Sequence, residues 1–283
     1  MNRADEMVNA FIEKMATVPI AEGDYLSEDG IIYCGVCHTP KQKLSQTPPY
    51  DGKLLPAVCD CEQARREQAK AEAAERKHLE TVDRLRRDCF TDPVMRTWTF
   101  ESISESSPQT ERARQYVQHW EEDLEKNIGL LLWGGVGTGK SYLAGCIANA
   151  LIEQEVPVRM TNFGLILNDL MDRRDGRNEY IHQLCRYPLL ILDDFGMERD
   201  TDFALEQMLV LIDSRYRSRK PLIVTTNLSL DEIRQPKDRD HARIYSRVLE
   251  MCVPVMVSGQ DRRKALSENK MDILKSYANT QSE

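Results

Sequence analysis

Residues 128 to 154 read IGLLLWGGVGTGKSYLAGCIANALIEQ: an apolar run, a glycine-rich octapeptide and a helix-forming stretch follow one another without a gap. A short apolar run of this kind is a strand buried on both faces, and such a strand needs helices to cover it. Glycines in the octapeptide free the backbone to curl, and the positive end of the next helix favours negative charge there. GGVGTGKS, Gly134 to Ser141, fits G-x-x-x-x-G-K-[ST] in full, in the strand-loop-helix context that gives the pattern its meaning. It therefore reads as a phosphate-binding loop. Backbone N–H groups of Gly134, Gly135, Val136, Gly137, Thr138 and Gly139 would cradle phosphate oxygens, with Tyr142 in the first helical turn behind them. Lys140 would reach the β- and γ-phosphates and the Ser141 hydroxyl would bind Mg²⁺, so ATP with Mg²⁺ is the implied ligand.

Four more apolar runs, VPVRMT (156–161), LLILDD (189–194), PLIVTT (221–226) and CVPVMV (252–257), are separated from each other by helical stretches. Alternation of this kind predicts an α/β fold with a five-stranded, mostly parallel sheet covered on both faces. The third run ends in two carboxylates, Asp193 and Asp194, which resist leaving water unless they are paired or hold a metal. At the carboxyl end of a strand beside the loop, Asp193 is placed to hold Mg²⁺, directly or through water. Asp194 is placed to orient or deprotonate an attacking water. Asp194-Phe195-Gly196 also spells DFG, but the H-R-D-x-x-x-x-N loop of a protein kinase is missing, and that reading fails. Asn227, ending PLIVTTN, is either a γ-phosphate sensor or a turn residue at a strand end. Ser229 and Glu232 form a helix-starting capping box.

The amino-terminal third has a different texture. Residues 3 to 17 place Met7, Val8, Phe11, Ile12 and Met15 on one face of an expected amphipathic helix. Cys34, Cys37, Cys59 and Cys61 crowd a Pro- and Gly-sprinkled segment, and four thiolates are the donor set of a closed tetrahedral zinc site, with His38 a possible substitute for one of them. Residues 62 to 87, rich in Ala, Glu, Lys and Arg, predict a solvated helix with only Leu79, Val82 and Leu85 as a late apolar stripe. The expected organisation is a helix and zinc-binding module over 1–61, a charged connector over 62–94, and the nucleotide-binding domain over 95–283. A formal charge of −8 argues against nonspecific wrapping of duplex DNA, although it leaves room for a local basic channel. With no apolar run of membrane-spanning length and no signal-like start, the expected location is the cytoplasm, with no membrane partner.

GGVGTGKS, LLILDDFG and IVTTN, with a late arginine cluster behind them, resemble the AAA+ ATPases of the DnaC type that load replicative helicases, and their relatives the IstB-type transposition ATPases. The resemblance spans about residues 95 to 265 and includes Arg215-Tyr216 and Thr225-Thr226-Asn227. It implies that Asn227 is sensor 1, that Arg247 is an arginine finger with Arg243 one helical turn earlier, and that Arg263 lies near sensor 2. It also implies slow, switch-like hydrolysis, because Asp194 stands where a longer Glu is usual. Some Gram-positive and phage helicase loaders resemble this layout, with a zinc-bearing amino-terminal module that grips the helicase. The function implied is ATP-dependent loading of a replicative helicase onto single-stranded DNA, with self-association through the finger. Regulation of transposition is the alternative. Arg173, Arg174 and Arg177 lie where the family places DNA-facing helices, but Asp172 and Asp175 interrupt the patch and a solvated helix-helix turn is the other reading. Arg215, Arg217 and Arg219 are expected as solvated arginines at a helix C-terminus.

Overall fold

The computed structural model describes residues 20–48, 50–103, 107–173, 175–196, 201–236, 238–259 and 261. The expected helix over 3–17 and Arg174 and Arg263 lie outside the described residues. The chain divides into two compact units, Met1–Leu79 and Glu80–Glu283.

In the first unit, β1 (Tyr25–Leu26) pairs antiparallel with β2 (Ile32–Tyr33), and β3 (Gln42–Leu44) with β4 (Leu54–Pro56). Strands of two and three residues cannot enclose a core, and a fold this small needs a staple. The cysteines lie where a staple is wanted: Cys34 and Cys37 in the turn after β2, Cys59 and Cys61 at the start of α1 (Asp60–Cys89).

Helix α1 is longer at both ends than the sequence predicts. Glu62–Arg66 pairing and other contacts four residues apart line its exposed face. Of the expected stripe, Val82 and Leu85 are buried along with Cys89, but Leu79 is 58% exposed. The apolar contact therefore begins one turn later than the pattern implies.

The second unit continues with a 3₁₀ turn at Pro93–Thr97, α2 (Pro108–Gln118), α3 (Trp120–Glu125), β5 (Gly129–Trp133), α4 (Lys140–Glu153), β6 (Val158–Asn162), α5 (Phe163–Asp172) and α6 (Arg177–Arg186). Then come β7 (Leu189–Phe195), α7 (Asp202–Ser218), β8 (Leu222–Thr226), α8 (Leu230–Arg234), α9 (Arg239–Met251) and β9 (Cys252–Met256). All five expected strands form one sheet in the order β6-β7-β8-β5-β9, and every pairing in it is parallel. The period of two along a strand sends Leu130 and Leu132 to one core layer with Leu143, Ile147 and Leu151 of α4. It sends Leu131 to the other, with Leu211 of α7 and Val248 of α9.

This order places β5 between β8 and β9, so the chain leaving β5 crosses over to β6 at the far edge. Carboxyl ends of β5, β7 and β8 are thereby brought side by side, at the place where open α/β sheets bind ligands. Ser229 caps α8 with its hydroxyl on the Glu232 N–H, and the Glu232 carboxylate returns to the Ser229 N–H, as the capping box predicts.

Candidate functional site

The loop after β5 turns through residues that need a left-handed backbone: Gly137 has φ +77° and Gly139 φ +95°. An L side chain at either position would be strained. Gly139 is the N-cap of α4, so the open N–H groups of that helix face the concavity of the loop. Lys140 is 5% exposed, and its ammonium donates to the carbonyls of Gly134 (3.0 Å) and Gly135 (2.7 Å) and to Asn227 Oδ1 (2.7 Å). Thr138 closes the turn onto the Gly135 carbonyl at 2.9 Å.

Asp193 and Asp194 end β7 in an irregular step. Leu192 is level with Val224 of β8, but Phe195 is level with Thr226, so two aspartates face the single residue Thr225. Asp194 takes up the extra length with φ +52°, an uncommon value for a residue with a side chain, and stands exposed at the strand end. Asp193 is half-buried. Burial raises its pKa above the ordinary aspartate value, opposed by hydrogen bonds from the Thr225 and Ser141 hydroxyls. Asp193 and Ser141 thus meet in one place, and a carboxylate with a hydroxyl beside a phosphate loop is a hard oxygen donor set that fits Mg²⁺. Phe195, by contrast, is core: it is 1% exposed and sits edge-on to Tyr245 at 5.7 Å.

A cavity of about 440 Å³ joins these parts, lined by Gly137, Lys140, Ser141, Tyr142, Asp194 and Asn227. Trp98 and Ser102 also line it, and no local pattern marks either of them. Trp98 is brought there from a distant segment: its ring packs on Tyr142 at 5.2 Å and lies so close to Gly145 that a Cβ at that position would come within 2.4 Å of it. Asn149 of α4 donates to the carbonyls of Met95 and Trp98, both at 2.9 Å, and fixes the segment in place. The only trace of this contact in the sequence is a glycine inside a helix.

The arginines separate by their surroundings. Arg247 is held by Asp213, with Nε 2.6 Å from the carboxylate, and lies 4.9 Å over the ring of Tyr216. Arg243 is exposed on the same face of α9, and neither residue lines the cavity of its own chain. Arg215, expected in solvent, is fully buried instead. It donates to the carbonyls of Cys185, Tyr187, Pro188 and Pro221, and burial pushes its pKa down to about 10. Arg217 and Arg219 are exposed as expected. Arg173 stacks on Tyr180, and Arg177 on Phe203 while donating to the Leu170 and Arg173 carbonyls, so both serve the turn between α5 and α6.

In the first unit the four cysteine sulfurs lie within 4.8 Å of one another, with Cys61 3.5 Å from both Cys34 and Cys59. Tetrahedral zinc with bonds of about 2.3 Å holds its sulfurs about 3.8 Å apart, so the donor set and spacing fit. The Thr39 hydroxyl helps to hold the Cys37 pKa down to about 5, whereas neighbouring sulfurs push that of Cys61 up to about 12. His38 is not part of the cluster. Its Nδ1 lies 3.3 Å from the Tyr25 hydroxyl. Among the described residues no helix is long and apolar enough to cross a membrane.

Comparison with known proteins agrees with the geometry. Residues 100–269 match the sequence profile of the IstB-like ATP binding protein family. The chain is 24% identical over 180 residues to the replicative helicase loader DnaI of Bacillus subtilis, covering 58% of each protein. It is 28% identical over 127 residues to the replicative helicase loader DnaC of Escherichia coli K12, covering 43% of this chain and 50% of that one. A protein named as ATP-binding in an insertion sequence of Mycobacterium tuberculosis is 31% identical over 106 residues, 37% of this chain and 42% of the relative. The chain thus spans about half the length of these curated relatives. A crystal structure of DnaI superposes with a TM-score of 0.53 at 21% identity, over 63% of this chain and 99% of that one, so the two share a fold.

Proposed function

As the chain belongs to the IstB-like ATP binding protein family, we propose that it is a cytoplasmic, ATP-hydrolysing loader of a replicative helicase onto single-stranded DNA. The observation that carries the ATPase reading is the convergence of Lys140, Ser141, Asp194 and Asn227 on one cavity at the carboxyl ends of β5, β7 and β8. Lys140 exchanges its carbonyl and Asn227 contacts for the β- and γ-phosphates of ATP. Ser141 and Asp193 would hold Mg²⁺, which would supply neutralisation of charge on the phosphates. Asn227, released from Lys140, faces the γ-phosphate. Asp194 orients a water and accepts its proton as the water oxygen bonds to the γ-phosphorus and the bond to the ADP oxygen breaks. Arg247, with Arg243 beside it, reaches the nucleotide of a neighbouring copy, so the site is complete only on self-association. An Asp in place of a longer acid holds water less closely, and turnover is slow, as suits a switch.

The four-cysteine cluster favours loading over the second reading. A zinc-stapled module ahead of the ATPase gives a surface for gripping the helicase, with the ATPase unit left to bind DNA. Regulation of transposition is the alternative, supported by the similarity to the insertion-sequence protein. The test is loading of the replicative helicase from the same source onto circular single-stranded DNA by the full chain with ATP. Helicase retained on the circles, and lost with Lys140→Ala, supports the proposal. No helicase contact, with capture of a transposase from the same source or tight binding to duplex DNA, moves the assignment to transposition.

A further inference from the structure

We infer that Thr225 is a positioning residue that aims both aspartates of the phosphate site through one hydroxyl; the inference rests on the nucleotide-site reading above. Thr225 lies in the middle strand β8 and is fully buried. Its hydroxyl donates to Asp193 Oδ1 at 2.5 Å and accepts the backbone N–H of Asp194 at 3.0 Å. A hydroxyl can do both because it carries one donor and two acceptor lone pairs.

Both bonds fall at the irregular step between β7 and β8, where the ladder has no regular partner for the extra residue. The donated bond fixes the rotation of the Asp193 carboxylate. The accepted bond satisfies the Asp194 N–H and holds that residue at its left-handed φ of +52°, which fixes where its side chain leaves the strand. Thr226 closes the other side of the step, its hydroxyl donating to the Phe195 carbonyl at 2.7 Å and accepting the Leu228 N–H at 3.1 Å. Adjacent threonines thus brace the step from both sides, but only Thr225 touches a carboxylate.

Thr225→Val keeps the shape and β-branching and removes the hydroxyl, while Thr225→Ser keeps the hydroxyl and removes a methyl group. ATP binding by the full chain is measured calorimetrically in MgCl₂ and in EDTA, beside the Mg²⁺ concentration for half-maximal hydrolysis. In EDTA all three proteins should bind ATP alike. With Mg²⁺, Thr225→Val should lose the gain in affinity that the wild type shows, and need about 10- to 100-fold more Mg²⁺, the usual effect of removing a partner of a metal-binding side chain. Thr225→Ser should restore the Mg²⁺ response. If Thr225→Val does not fold, Thr225→Cys, a weak donor of similar size, takes its place with the same expected loss. A Val or Cys variant with the wild-type Mg²⁺ response, or a Ser variant as impaired as Val, overturns the inference. Failure of the wild type to bind ATP under either condition instead overturns the nucleotide-site reading.

Discussion

Arg215 is a cation buried in the second unit with carbonyl oxygens as its partners in place of a carboxylate. Its two terminal nitrogens fork to four backbone carbonyls, from the segment before β7 and from Pro221 just ahead of β8. Desolvation of a guanidinium is costly, but truncating it alone would leave those carbonyls buried without donors. Arg215→Ala should therefore cost about 3 to 5 kcal/mol, as removal of one partner from a buried charged cluster does. Arg215→Lys should recover little, because a single ammonium cannot reproduce the planar fork. Urea unfolding checks both variants. A midpoint for Arg215→Ala equal to that of the wild type would mean that the carbonyls find water instead.

At the scale of elements, the amino-terminal end of α1 depends on something outside itself. The helix starts between Cys59 and Cys61, and the Asp60 N–H is bonded to the Thr39 hydroxyl at 3.0 Å, next to the Cys34–Cys37 turn. Two hairpins of two- and three-residue strands have too little apolar contact to hold that arrangement. Metal binding to thiolates couples directly to folding in such modules. Purified protein should therefore carry one zinc per chain, and Cys34→Ser with Cys59→Ser should abolish it along with the protease resistance of residues 20–60. Metal-free protein with an unchanged digestion pattern would refute the site.

At the scale of the whole molecule, the proposed self-association requires Arg247 of one copy to reach the site of another. Arg247 and Arg243 border a shallow depression with Tyr216, Ser246 and Glu250, and the Tyr216 hydroxyl is bonded to Glu250 at 2.7 Å. Arg247 is thereby presented on a prepared face, apart from the cavity that Lys140 occupies. Mixing Arg247→Ala with Lys140→Ala should restore ATP hydrolysis above either variant alone, since one supplies intact cavities and the other intact arginines. Mixtures no more active than their components would argue that hydrolysis is completed within a single chain.

Local chemistry was enough for the loop and for the strands. Glycine spacing, the Lys-Ser pair, apolar runs and the Ser229–Glu232 box each act through neighbours a few residues away, so their meaning survives without knowing the fold. Cysteine clustering was legible for the same reason, although only folding put the two pairs within bonding reach of one metal. Arg215 and Arg217 stand two residues apart near one helix end, and nothing in their spacing shows that one faces four carbonyls and the other faces solvent. Trp98 enters the cavity beside Lys140 across a sequence distance of more than forty residues, through Gly145 and Asn149. Thr225 looks like a strand residue until the register slips by one residue beside it and turns its hydroxyl into the partner of both aspartates. Patterns whose cause lies within a turn or a strand are written in the sequence. Those that depend on which distant backbone lies alongside are decided only when the chain closes on itself.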